Sequence, residues 1–130
     1  MANPNIVSVS SIYGGNSSWN LSNTLTSTLL TVAADVIGKV NYIHVANVDG
    51  TNAATFNLYI DGVGTTVTGV SGTSLATAIY LAKTVNVPPD DIFVVVDKPI
   101  YLMEADVLKG GASAASDLDL FMSYEVINDA

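Results

Sequence analysis

Apolar and polar residues alternate with a period of two along most of this chain. Phe56, Leu58 and Ile60 alternate with Asn57, Tyr59 and Asp61. Leu118, Leu120, Met122, Tyr124 and Val126 alternate with Asp119, Phe121, Ser123 and Glu125. Ile79, Leu81, Val85 and Val87, with Lys83 in phase, alternate with Tyr80, Ala82, Thr84 and Asn86. A period of two places successive side chains on opposite faces of a strand, one towards a core and one towards water or a partner. The stretch Leu81–Asp106 reads as three short apolar strands broken at Pro88-Pro89 and at Lys98-Pro99, with no histidine, cysteine, serine or arginine in it. It is written for packing.

Turn signals separate the strands: Gly14-Gly15-Asn16, Asp35 to Gly38, Asp49-Gly50, Asp61-Gly62, Ser71-Gly72, Pro88-Pro89-Asp90-Asp91, Lys98-Pro99 and Gly110-Gly111. The pattern predicts strands near 5–12, 25–33, 39–48, 54–61, 75–87, 92–97, 100–104 and 117–127, with a short one over 106–112. Only Ser22–Thr31 offers a turn of helix, and its Ser/Thr content argues against one. The predicted fold is all-β: a single antiparallel β-sandwich of about eight strands, jelly-roll or immunoglobulin-like, with both topologies open. No Cys–Trp–Cys framework supports a true immunoglobulin domain. Pro4 favours extended geometry at the start, which predicts an N-terminal arm over 1–14 and a sandwich over 15–130. Val45–Thr55 is echoed by Val67–Thr77, which fits two similar strand–turn–strand corners better than a repeat array.

Composition narrows the function. The 130 residues hold 12 acidic residues against 4 lysines, no arginine and no cysteine, for a net charge of −8. The lysines (Lys39, Lys83, Lys98, Lys109) are scattered, so no basic patch exists to displace counterions from nucleic acid or to meet an anionic membrane. Neither nucleic acid nor membrane is expected as a partner. The start has no basic, apolar leader pattern, and no run approaches the ~18 apolar residues of a membrane span. Charged residues make up only 12% of the chain. Such a surface is cheap to desolvate against a neighbour, and it equally suits an ordinary Ser/Thr-decorated β-protein.

Candidate chemistry is thin. His44 lies on a strand in phase with Val40, Tyr42, Ala46 and Val48, with no serine elbow to serve, and reads as structural. Asp90, Asp91 and Asp97 flank one strand, and Asp117 and Asp119 bracket Leu118. None has the regular offsets of a calcium loop. Twelve acids make some carboxylate pair inevitable, so a glycosidase pair is no signal. Gly50 and Gly62 are turn glycines. No catalytic, cofactor-binding or metal-binding residue is assigned, and no enzyme or cofactor is expected. Among the out-of-phase aromatics, Phe93 reads as core, and Tyr59 and Phe121 as interface. Trp19, in GGNSSWN, either pins the N-terminal segment onto the sandwich or anchors in a neighbour. The expected interface set is Ile6, Val7, Ile12, Tyr13, Trp19, Tyr59, Val67, Val70 and Phe121.

Four stretches together resemble a family of small, β-rich virion structural proteins of tailed bacteriophages, cyanophages among them. They are VANVDGTNAA (Val45–Ala54), LAKTVNVPPDD (Leu81–Asp91), FVVVDKPIYLMEAD (Phe93–Asp106) and ASAASDLDLFMSYEVI (Ala112–Ile127), and IVSVSSIYGG (Ile6–Gly15) is similar in style. The resemblance implies a virion component in many symmetric copies, made in the host cytoplasm and placed on the capsid surface as a head decoration or cement protein. The partners it implies are the major capsid protein or other virion proteins, and further copies of the chain. Within that reading, the arm at about Ala2–Tyr13 and the loop Gly62–Thr73 reach across subunits. The Thr/Gly-rich region Gly62–Ser74 departs from the family pattern. Competing expectations are a neck, tail or fibre-associated protein, and a displayed carbohydrate- or receptor-binding sandwich using Trp19, Tyr13 and Asn16. A small hydrolase is the most remote.

Overall fold

The computed structural model describes residues 8–128. Among the described residues, nine strands carry the fold: β1 (Ser11–Asn20), β2 (Thr28–Thr31), β3 (Val36–Asn47), β4 (Ala54–Asp61), β5 (Ala78–Val87), β6 (Ile92–Val96), β7 (Ile100–Leu102), β8 (Val107–Ala112) and β9 (Leu118–Asn128). One sheet has the order β1-β9-β3-β6, with β7 also on β3; the other has the order β2-β8-β4-β5. Every pairing is antiparallel. The partners nest around the chain: β1 with β9, β2 with β8, β3 with β6 and β7, β4 with β5. That is a long hairpin rolled into two facing sheets, a jelly-roll sandwich. The immunoglobulin-like alternative is thereby removed.

Leu81–Asp106 contributes β5, β6 and β7 as its prolines suggest. The Pro88-Pro89 turn carries the chain from one sheet to the other. The Lys98-Pro99 break only interrupts a strand, since β6 and β7 both lie along β3. Phe56, Leu58, Ile43, Val45, Leu102, Leu108, Leu118, Leu120 and Met122 fill the space between the sheets. Each such side chain contributes roughly 1.5–3 kcal/mol through apolar burial.

Three bulges alter the phase expected from alternation. On β3 the pairing passes from Val40 to Tyr42, so Asn41 is extra. Val40, Ile43 and Val45 then face the core, while Tyr42 and His44 face out. On β5 the pairing steps from Val85 to Ala82 and from Ala82 to Tyr80. Ala82 takes the core position, and Lys83 turns out to lie 5.1 Å from the Tyr80 ring. Thr84 sits at φ 52° in this bulge, and its N–H donates to Asn57 Oδ1 at 2.7 Å. A β-branched residue in that region is strained, and the hydrogen bond helps hold it.

The first strand departs most from expectation. It runs through Gly14-Gly15-Asn16, which read as a turn, and is paired with β9 along its whole length. Gly15 lies against the Tyr124 ring, which would meet a Cβ there in ordinary contact at 3.6 Å. The Ser17 and Tyr124 hydroxyls hydrogen-bond at 2.9 Å. Residues 11–14, assigned to the arm by sequence, are the first four of β1. The expected strand residues 5–7 lie outside the described residues.

Candidate assembly surface

Several polar groups of this sandwich hold its local structure. His44, half-buried on the outer face of β3, stacks on Phe121 of β9 with ring centroids 5.6 Å apart, and Tyr42 meets it edge-on at 5.5 Å. Asp49 Oδ1 accepts the N–H groups of Thr51 and Asn52 at 2.7 and 3.2 Å, and these bonds, with Asn52 Nδ2, hold its carboxyl below the usual range. This is an Asx turn at the β3–β4 corner. Lys109 bonds Asp61 at 3.0 Å and is pushed above the usual lysine range by that partner. Lys39 meets Glu125 at 3.5 Å. Asp106 is the exception to good solvation. It is 2% exposed; its Oδ2 accepts the Met103 N–H at 2.9 Å, and its Oδ1 has no hydrogen-bond partner. Burial pushes its carboxyl up, and the Met103 bond only partly opposes this. Among the described residues, no group of three or more His, Cys, Asp or Glu is placed to hold a metal ion. No described helix is long and apolar enough to cross a membrane.

The unspent apolar surface is more informative. Between β2, which ends one sheet, and the β3 and β9 strands of the other, a groove of about 170 Å³ opens. It is lined by Leu30 to Ala33, Val36, Gly38, Tyr124 and Val126. No charged side chain lines it. Tyr13, paired with Val126, stands beside it and is largely exposed. On the outer face of the first sheet, Ile12, Ile127 and Ile37 form one row across β1, β9 and β3. Ile12 is exposed, but Ile37 and Ile127 are 4% and 5% exposed although they lie away from the main core.

The segment between β4 and β5 is a ribbon. Gly64 N–H donates to Leu75 O at 3.0 Å, Ser74 N–H to Thr65 O at 2.7 Å, and Thr65 N–H to Ser74 Oγ at 2.8 Å. A bridge joins Thr66 and Thr73. Gly64 and Gly69 take φ of 74° and 93°, where a side chain would be strained. At its tip Val70 is 66% exposed, and Val63 near its foot is as open. From Gly62 to Thr77 the ribbon carries no charge.

These positions sort the expected interface residues. Ile12, Tyr13 and Val70 are open, and Val67 and Phe121 are partly so. Ile6 and Val7 lie outside the described residues. Trp19 is half-buried against the core from the inner face of β1, so it pins that strand. Tyr59 is corrected: it faces out as alternation implied, yet is 7% exposed because Tyr80 covers it at 5.0 Å between centroids. Phe93 reaches the core edge-on to Phe56 but remains 40% exposed, because β6 ends its sheet. The sequence reading missed Ile92, Val94, Tyr101 and Ile79, all exposed on edge strands β5, β6 and β7. For Ile92 and Val94 the signal, the run IFVVV, looks the same for a buried strand and for a bare edge.

No family model matches the chain, and no curated protein matches it. Solved structures similar to it include a chain of the Bacillus endospore appendages, described as a family of disulfide-linked pili. That similarity has 15% identity and a TM-score of 0.46, over 92% of this chain and 88% of that one. Another is a chain of the infectious bursal disease virus Gt strain, with 12% identity and a TM-score of 0.39. It covers 92% of this chain and 33% of that one, so this chain spans about a third of its length.

Proposed function

We propose that this protein is a structural subunit of a virion, acting as a decoration or cement protein on a phage head. The observation that carries the reading is the uncharged ribbon with Val63 and Val70 open to solvent, on a sandwich whose His44, Asp49 and Lys109 are engaged in local structure. Ordering such a segment costs backbone entropy that its own few contacts offset poorly. A neighbour closing over it supplies the missing burial. The phage-like wording of Val45–Ala54, Leu81–Asp106 and Ala112–Ile127 supplies the virion context. Many equivalent copies make modest single contacts add up to firm attachment. Trp19 packs inward, so the aromatic platform of a sugar-binding reading loses its central residue.

Cryo-EM of particles carrying the chain tests the proposal. Density at capsomer junctions is the expected outcome. Density confined to the portal or tail overturns it in favour of a neck or tail component.

A further inference from the structure

The ribbon tip and the inter-sheet groove are a knob and a socket that the same molecule does not bring together. Val70 stands 66% exposed at the tip, and no ribbon residue lines the groove. We propose that the groove of one copy receives the Val70 tip of a second copy. The inference rests on the reading of the chain as an assembly subunit, but not on where in a virion it sits.

Three observations converge on that occupant. The first is charge. Copies with a net charge of −8 repel one another, and only surfaces without charge meet at low cost. Gly62–Thr77 has no charged residue, and the groove is lined by Leu30, Val32, Val36, Gly38, Tyr124, Val126 and their uncharged neighbours. A polar or charged peptide would gain nothing there. The second is size. A groove of about 170 Å³ suits one or two aliphatic side chains, and a tip offering Val70, with Val67 behind it, matches that scale.

The third is placement. Thr31 of the groove pairs with Val107, and Val107 pairs with Asp61, the residue before the ribbon. Groove and ribbon foot therefore sit at the same end of the sandwich, two strand spacings or ~10 Å apart. The ribbon is tied into a two-chain stem by the Gly64–Leu75 and Ser74–Thr65 bonds, so it projects as a unit. With both features at one end, mutual exchange between two copies, or a closed ring, leaves no knob or socket unused.

The chain has no cysteine, so introduced cysteines are unique reporters. Val70→Cys and Ala33→Cys variants of the full chain, one carrying a tag, are mixed and oxidised. Ala33 lines the groove yet is itself exposed, so neither change disturbs the core. A disulfide needs Cα atoms within about 7 Å. The expected result is a mixed disulfide in clear excess over that formed by Val70→Cys with Val48→Cys, an exposed control. Light scattering should show a multiple of the 13.5 kDa chain, and Val70→Asp should reduce it to a single chain with an unchanged circular dichroism spectrum.

Cross-linking of Ala33→Cys to Ile6→Cys instead, with Val70→Asp still oligomeric, would make the N-terminal segment the occupant and overturn the proposal. So would a monomer at every concentration. A monomer that still loads onto heads would overturn this inference and leave the decoration reading standing. A Val70-dependent oligomer absent from heads would do the reverse.

Discussion

Gly110 lies so close to the backbone of Asn57 that the Asn57 carbonyl oxygen holds the place a side chain at Gly110 would take. The pair sits mid-sheet, where Gly110 faces Leu58 across the β4–β8 ladder. Its neighbour Gly111 is blocked in the same way by the Thr24 carbonyl, from the loop that leads into β2. The Gly110 N–H donates to Ser27 O at 3.0 Å, and the Ala112 N–H to Ser22 O at 2.8 Å. Gly111 thus lets the segment before β2 lie against β8, and Gly110 lets β4 lie close on its other side.

Gly110→Ala and Gly111→Ala should each destabilise the fold by about 3 kcal/mol or more, because backbone rather than a flexible side chain must move. Gly14→Ala, with nothing within 4 Å of its added Cβ, should change stability by less than about 0.5 kcal/mol. Urea denaturation midpoints check all three. A mild effect at Gly110 would mean that β8 does not approach β4 as described.

Asn47 ties the β3–β4 corner to β5. Its Nδ2 donates to the Asn52 and Val87 carbonyls, each at 2.9 Å, and its Oδ1 accepts the Asp49 N–H at 2.9 Å. The side chain is buried. Asn47→Ala should cost about 2–3 kcal/mol, since it orphans groups that water reaches poorly. Asn47→Asp should cost more, because its carboxylate cannot donate to either carbonyl. Equilibrium unfolding of both variants provides the comparison, with the order Asp worse than Ala as the specific claim.

Asp106 predicts an unusual pH dependence. Its folded carboxyl is raised above the ordinary 3.8, so the native state holds that proton more tightly than the unfolded chain does. Its contribution to stability therefore grows as pH falls from neutrality through the raised value, and levels off below about 3.8. Asp49 is lowered and acts in the opposite sense, losing its contribution as pH falls below 3.8. The difference between wild type and Asp106→Asn isolates the first effect. Plotted against pH, the stability of wild type relative to Asp106→Asn should rise on acidification. A flat difference would show that Asp106 is solvated.

Trp19→Ala should cost about 2 kcal/mol, less than removal of a fully buried aromatic, because the ring keeps part of its surface in solvent. Hydrogen exchange should quicken along β1 from Ser11 to Asn20 more than in β4. If the ring were an intermolecular anchor instead, the isolated chain would keep its stability and lose only its assembly.

Most strands were legible from alternation alone. Phe56–Ile60 and Leu118–Val126 repeat every second residue, and β4 and β9 follow them closely, because one buried face imposes that spacing on any half-buried strand. The all-β class, the sandwich and the proline breaks around Ile92–Leu102 follow from the same local rule. The candidate surface was legible only in part: Val70 and Tyr13 stood out, whereas Ile92 and Val94 hid in a run that looks buried.

What the sequence by itself determined is what each residue states locally: period, turn chemistry, charge and the thinness of catalytic groups. Tertiary structure decided what depends on neighbours. β1 is a strand because β9 presents ten residues for it to pair with, although its own Gly, Ser and Asn carry little strand preference. Gly110 and Gly111 are strand residues because two other backbones come within contact distance. Tyr59 is covered because Tyr80 lies opposite it, and Ala82 rather than Lys83 enters the core because a bulge shifts β5. The jelly-roll order itself is a matter of which edges meet, and pairing partners remote in sequence leave no mark on local periodicity.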